Sequence, residues 1–275
     1  RALGNIQWPA AAMEVIGAAL ISLGALDFHG GGGPLNVSES PLTSPIYKAF
    51  IEAGREAGYP VTNDFNGAQQ EGFGPYQRTI HKGERWSASF AYLRPIEGTR
   101  ANLKVISTGL VTRVLIEGGK AVGAEFVEAK GQVASSVRAS REVIVCAGAV
   151  QSPQLLQLSG IGDPDALKAL GIDVKAASPN VGKNLQDHLD VTVINKMTQG
   201  QSAYSMQKGI KKLFVGIQYL ATQKGAGADN FLQAGAFLKS REGLEMPDLQ
   251  LHVVNAIMMN HGNHQPTEDG FTVHA

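Results

Sequence analysis

Val143-Ile144-Val145-Cys146-Ala147-Gly148-Ala149-Val150-Gln151-Ser152-Pro153-Gln154-Leu155-Leu156-Gln157-Leu158 is the stretch on which the fold turns. Its opening apolar run is rich in β-branched residues and reads as a strand buried on both faces. Ala147-Gly148-Ala149 then form a small-residue turn. Ser152 has the side chain of an N-cap and Pro153 the fixed φ of a first helical residue, leading into the amphipathic Gln154 to Leu158. Small residues let another group approach the backbone, and a helix N-terminus points unpaired N–H groups at it, which suits a phosphate or a dinucleotide. They equally allow tight strand–helix packing, and the stretch alone does not choose.

Upstream of this stretch the pattern is β-rich. Leu103–Ile106, Val111–Glu117, Ala121–Glu128 and Val137–Cys146 read as strands, with Gly118-Gly119 and Lys130-Gly131 as hairpin turns, giving a small antiparallel meander. Earlier still, Ser44 and Pro45 open a helix through Ala57, with Ile46, Ala49, Phe50 and Ala53 on its apolar face and Gly58 as its stop. Residues 63–78 are rich in Asn, Gly and Gln and read as a long, lid-like loop. A second helix is expected over Trp86–Leu93, ended by Pro95. Downstream, Lys208–Thr222 reads as a helix, and Leu251-His252-Val253-Val254 and Phe271-Thr272-Val273-His274 as strands.

Composition narrows the partners. The 275 residues hold 24 Lys+Arg and 24 Asp+Glu, so the net charge is zero and no basic run marks a nucleic-acid surface. Cys146 is the sole cysteine, which excludes an intrachain disulfide and a thiolate cluster; its apolar neighbours predict a buried structural thiol. Trp8 to Leu26 are mostly apolar but contain Glu14, and read as a buried or interfacial helix, with a membrane span or signal segment as alternatives. The chain begins without Met and stops in a strand-like alternation at Ala275, so it reads as an internal piece of a longer protein.

Gly148 through Gly162 resembles the second signature of the glucose–methanol–choline (GMC) oxidoreductase family. Asn180-Val181-Gly182-Lys183-Asn184-Leu185-Gln186-Asp187-His188 resembles the family's G-V-G-x-N-L-x-D-H segment, with Asn180 in place of the first Gly. Asp64 through Gly74, and Gly83-Glu84-Arg85 through Leu93, resemble its middle region. The likeness runs from about Phe28 to the C-terminus and is nearest to bacterial choline and aliphatic-alcohol dehydrogenases. Residues 1–27 do not match, and read either as a divergent segment or as a frame-shifted one.

The resemblance implies an α/β plus α+β fold: part of an FAD/NAD(P)-binding domain and the start of a substrate domain, an antiparallel sheet backed by helices. Expected boundaries are an atypical segment at 1–28, a linking region with the lid-like loop at 29–94, FAD-binding residues at 95–187 and substrate-domain residues at 188–275. It implies FAD as cofactor and hydride transfer from an alcohol to flavin N5. Val111 matches the residue whose backbone faces the adenine, and Ala147, Gly148 and Ala149 the turn beside the cofactor. The G-x-G-x-x-G fingerprint does not occur, and the family's catalytic His segment would lie past Ala275, so no catalytic residue is assigned.

The histidines divide by context. His188 sits where the family joins its domains, which implies a structural or site-organising role. His261 and His264 have ligand-like spacing but no carboxylate motif, so no metal site is assigned. His252 and His274 alternate with apolar residues in strands, and either one could face a substrate cavity. His29 and His81 carry no signal. For a cationic alcohol such as choline, Glu71, Phe73 and Tyr76 are the candidates. The electron acceptor stays open between oxygen, a quinone and another carrier. The expected location is cytoplasmic or peripheral to the inner membrane, without nucleic acid. Two other readings remain: a catalytically inactive gene fragment without FAD, exposing apolar surface, and a hydroxynitrile lyase.

Overall fold

The computed structural model describes residues 28–128, 133–259, 262–263 and 266–275. In chain order its principal elements open with α1 (Pro45–Glu56) and β1 (Gly72–Pro75). Then come β2 (Leu110–Glu117), β3 (Lys120–Val127) and β4 (Ser135–Arg138), followed by α2 (Gly148–Leu158) and α3 (Pro164–Ala169). The last are β5 (Thr192–Lys196), α4 (Ala203–Met206), α5 (Gly209–Thr222), β6 (Ala234–Leu238), β7 (Leu249–Val254) and β8 (Gly270–His274). They group into two compact units, one spanning Ile96–His188 and the other joining residues 28–95 to Leu189–Ala275. The mixture of helices and antiparallel sheets is the α/β plus α+β class expected from the sequence. The apolar segment at 1–27, the Lys130-Gly131 turn, His261 and His264 lie outside the described residues.

In the unit that contains both ends of the described chain, β5, β8, β7, β6 and β1 form one antiparallel sheet in that order. Alternation fixes which side chains go inward. Ala234, Val253 and Val273 share one face, and α1 covers it through Tyr47, Phe50 and Ile51. Tyr47, Ala234 and Val253 are completely buried there. The helix limits agree with the sequence, Ser44 as N-cap and Pro45 in the first turn. Its buried face is rotated, however: Tyr47, Phe50, Ile51 and Gly54 point inward, while Ala49 and Ala53 are exposed. The reason is area, since the large Tyr47 and Ile51 remove more apolar surface from water than two alanines.

Residues 72–78, expected to belong to the loop, are instead extended. Gly72–Pro75 pairs with β6, and Gln77-Arg78 with Ser38-Glu39. Glycine permits this: a Cβ on Gly74 would lie 2.1 Å from the Thr62 carbonyl oxygen. The stretch 29–94, read from sequence as a link, therefore supplies both the helix and an edge strand of this unit. Only one turn, Ser89–Leu93, is helical where Trp86–Leu93 was expected.

In the other unit β2, β3 and β4 form the antiparallel meander, turning at Gly118-Gly119. The fourth expected strand, Leu103–Ile106, pairs with nothing among the described residues and is irregular. The expected strand Val137–Cys146 stops at Arg138. Val143 to Cys146 is not strand, Ile144 is 64% exposed, and Cys146 is exposed, not buried. No strand among the described residues pairs with this run, so Ile144 and Cys146 stay exposed while Val143 and Val145 are only half-buried. The helix also begins earlier than expected, at Gly148, which leaves Pro153 inside α2. Ser152 is not the N-cap; its hydroxyl accepts a hydrogen bond from the Ala147 N–H at 3.0 Å.

Candidate active-site surfaces

Two surfaces, one in each unit, carry the residues that sequence reasoning singled out. In the Ile96–His188 unit, Ala147, Gly148 and Ala149 are exposed at the N-terminal end of α2. Gly148 has φ +85°, and a Cβ built on it would meet nothing within 4 Å, so its left-handed backbone and not crowding explains the residue. No side chain caps the helix and no acidic residue sits in its first turn. The result is an exposed helix N-terminus lined by methyl groups, with no carboxylate in its first turn.

Val111 stands near the start of β2, opposite Phe126, and is 44% exposed. The tie between β2 and α2 runs through Ser159 at the far end of the helix. Its hydroxyl accepts from the Val114 N–H at 2.8 Å and donates to the Leu155 carbonyl at 2.6 Å. The Asn180–His188 segment is fastened to the same helix, because Gln157 Nε2 donates to the Val181 carbonyl at 3.1 Å. Lys183 reaches Asp163 at 2.8 Å. His188 is exposed, and its backbone N–H donates to Asp187 Oδ1 at 2.8 Å.

The second surface is the sheet face opposite α1. Gly235, His252 and His274 are register partners across β6, β7 and β8, so they stand side by side on that face. Both strand histidines therefore share one surface. His274 Nδ1 lies 2.9 Å from Asp190 Oδ2. The Tyr76 ring lies over Gly235 and 5.3 Å from the His252 ring. A Cβ at Gly235 would fall 2.3 Å from Tyr76 Oη, so glycine is what admits the ring. Tyr76 Oη donates to the Leu251 carbonyl at 2.7 Å. Burial pushes this phenol up to about 12 despite a hydrogen bond from Gln250, so it stays protonated and acts as a donor. Phe65 packs 5.1 Å from Tyr76 and 5.0 Å from Phe237, extending an aromatic wall beside the histidines.

Of the three residues considered for a cationic alcohol, Tyr76 alone is on this face. Phe73 is buried toward α1, and Glu71 pairs with Lys239 at 3.0 Å. His29, which carried no sequence signal, is buried and lies 2.5 Å from Asp64, pinning the start of the Asn- and Gly-rich loop. Its partner is 35 residues away, beyond any local pattern. Asp190 was likewise missed, since its partner His274 is 84 residues distant. Among the described residues no cluster of three His, Cys, Asp or Glu side chains could hold a metal ion.

The GMC oxidoreductase family model matches residues 6–190. The mitochondrial choline dehydrogenase of Mus musculus is 44% identical over 252 residues, 92% of this chain and 42% of that protein. The oxygen-dependent choline dehydrogenase of Brucella anthropi is 44% identical over 247 residues, 90% of this chain and 44% of that protein. The chain thus spans less than half the length of the curated relatives it matches. Among solved structures, pyridoxine 4-oxidase from Mesorbium loti superposes with a TM-score of 0.76 at 26% identity, covering 94% of this chain and 47% of that one. Formate oxidase shares the fold, with a TM-score of 0.78 at 24% identity over 89% of this chain and 47% of its own.

Proposed function

The chain belongs to the GMC oxidoreductase family, and from that membership we propose that it is part of an FAD-dependent oxidoreductase acting on CH–OH donors, of the choline or alcohol dehydrogenase type. The observation that carries this reading is the 44% identity to choline dehydrogenases along 92% of the chain. The Ile96–His188 unit is assigned to FAD binding and the sheet of the other unit to substrate. The open α2 N-terminus fits a phosphate-bearing cofactor, because its N–H groups are uncapped and Ala147, Gly148 and Ala149 leave the approach clear. Val111 offers an exposed strand backbone for the nucleotide. FAD, when bound, supplies the hydride acceptor at flavin N5.

The chain's own residues supply binding and orientation. On the substrate side, His252 and His274 are the groups able to accept or donate a hydrogen bond to a hydroxyl, with Asp190 fixing the His274 ring. Tyr76 and Phe237, backed by the buried Phe65, form an aromatic wall that suits a quaternary ammonium through cation–π attraction. For the longer protein of which this chain would be part, an artificial acceptor dye reduced with choline, and not with primary alcohols of similar size, is the expected result. No substrate-dependent reduction with FAD demonstrably bound would sink the substrate assignment.

A second reading, a catalytically inactive gene fragment, is favoured by the unpaired apolar run at Val143–Cys146, where Ile144 and Cys146 are exposed. Titrating the chain with FAD and following flavin fluorescence separates the two. Saturable quenching that is lost in Gly148→Asp supports the cofactor surface; no quenching at any concentration supports the fragment reading.

A further inference from the structure

His29 is a buried histidine that neither surface uses, and its Nε2 lies 2.5 Å from Asp64 Oδ2. The Asp64 carboxylate divides its partners between its two oxygens. Oδ1 accepts from the Asn66 N–H at 3.0 Å and from Gln77 Nε2 at 2.8 Å, while Oδ2 is the oxygen held by His29. Burial pushes the carboxyl up, but hydrogen bonds from His29, the Asn66 N–H and Gln77 outweigh it and hold it below its ordinary value, so it is ionised near neutrality. An ionised carboxylate only accepts, so Nε2 of His29 carries the proton and donates. A charge-assisted bond is roughly twice as strong as a neutral one. The His29 side chain is 4% exposed and that of Asp64 31%, so water competes for the bond from the carboxylate's side alone.

This clamp is joined through the chain to the aromatic wall. Asp64 precedes Phe65 and Gln77 follows Tyr76, and the Phe65 and Tyr76 rings are 5.1 Å apart. The polar pair Asp64–Gln77 and the ring pair Phe65–Tyr76 therefore tie together the same two pieces of backbone, the loop and the sheet edge. Asn66 Nδ2 adds a bond to Gln77 Oε1 at 2.5 Å. Phe65 is 5% exposed and also packs on Phe237, so its place against Tyr76 depends on where the Asp64 backbone is held. Tyr76 in turn lies over Gly235 and beside the His252 ring. Glycine serves the clamp as well: a Cβ at Gly67 would fall 2.7 Å from Asp64 Oδ2, the oxygen that meets His29.

We propose that His29 is a positioning residue of the substrate face: by clamping Asp64 Oδ2 it fixes the loop at 63–71 and holds Phe65 against Tyr76. The clamp itself is independent of the oxidoreductase reading, whereas its bearing on substrate rests on that reading. The test is amide hydrogen exchange on the full chain, read at Asp64, Asn66 and Gly67, whose N–H groups are bonded within the loop, and at β6 and β7. His29→Ala should speed exchange in the loop about tenfold or more and leave β6 and β7 unchanged. The Tyr76 ring-proton shifts, set in part by the Phe65 ring beside them, should move in the same variant. His29→Gln, which returns an N–H donor to Asp64, should restore most of the protection. Gly67→Ala, which crowds the same carboxylate oxygen, should loosen the loop without altering His29, and adding it to His29→Ala should give little more. Tetramethylammonium, titrated through the Tyr76 ring shifts, reads the substrate face, and His29→Ala should weaken its binding about threefold or more. Unchanged loop exchange in His29→Ala, faster exchange spread equally over β6 and β7, or no rescue by His29→Gln overturns the proposal. So does a tetramethylammonium affinity that His29→Ala leaves unaltered. Exchange and ring shifts as expected, with no tetramethylammonium response in the wild-type chain, uphold the clamp and sink the cationic-substrate reading instead.

Discussion

The run Val143-Ile144-Val145-Cys146 and the strand Leu249–Val254 are similarly apolar, yet one is unpaired and half-exposed and the other is central in a sheet. The difference lies in their neighbours. Leu249–Val254 has a strand on each side and a helix across one face, so Val253 is wholly buried. The Val143 run has no paired strand among the described residues, and Ile144 is 64% exposed. Apolar patterning thus states a demand for cover, and topology decides whether the demand is met.

The largest effect that could break this comparison is at Tyr47. Its ring fills the core between α1 and the sheet, and Tyr47→Ala should cost about 3–5 kcal/mol. Urea unfolding followed through the amides of β6 and β7 would measure it; a loss below about 1 kcal/mol would mean the sheet does not depend on α1. The Tyr47 hydroxyl has no hydrogen-bond partner among the described residues, and burial, with Asp229 nearby, raises its pKa. Tyr47→Phe should therefore be neutral or mildly stabilising, since removing an unpaired buried hydroxyl removes a desolvation cost.

A smaller effect sharpens the comparison through acid. Burial pushes the Asp269 carboxyl up, but hydrogen bonds from the Ser205 and Ser202 hydroxyls and from their backbone N–H groups outweigh it and hold it at about 2. Its folded-state value thus lies below the ordinary 3.8. The stabilisation is therefore fully present above that value and is lost as pH falls toward about 2. Because the carboxylate is only partly buried, solvent screening reduces the contribution to about 1 kcal/mol. Asp269→Asn should flatten the acid limb of stability for this unit and leave the meander unchanged. An unaltered acid limb would show that the Ser202–Asp269–Ser205 bonds are not maintained in solution.

How much of this was legible follows from range. Local signals found α1 with its Ser44 cap and Pro45, the turn at Gly118-Gly119, and the strands bearing His252 and His274. Each depends on residues a few positions apart. The sequence also pointed to the small-residue turn at Ala147-Gly148-Ala149, but placed the helix start at Ser152, because a serine before proline imitates a cap. Glycine-rich 72–75 read as loop since its strand character comes from β6, far along the chain. The same limit hid Asp190 and His29, whose partners are fixed by topology. It also misplaced Cys146, whose burial was inferred from neighbours in sequence and not in space.

The smallest effect is the most discriminating. If the Val143 run is bare in the isolated chain, Ile144→Ser removes no packing and should change stability by less than about 0.5 kcal/mol. It should at the same time reduce binding of a hydrophobic dye and slow aggregation, because an exposed apolar patch is lost. The corresponding change on β7, Val253→Ser, strips a fully buried side chain and brings a hydroxyl into the core, so it should cost several-fold more. Similar costs at the two sites would mean that the Val143 run is covered after all, by a second chain or by residues outside those described. In that case dilution should expose Cys146 to a thiol reagent if the cover is a second chain, and leave it protected if the cover is the chain itself.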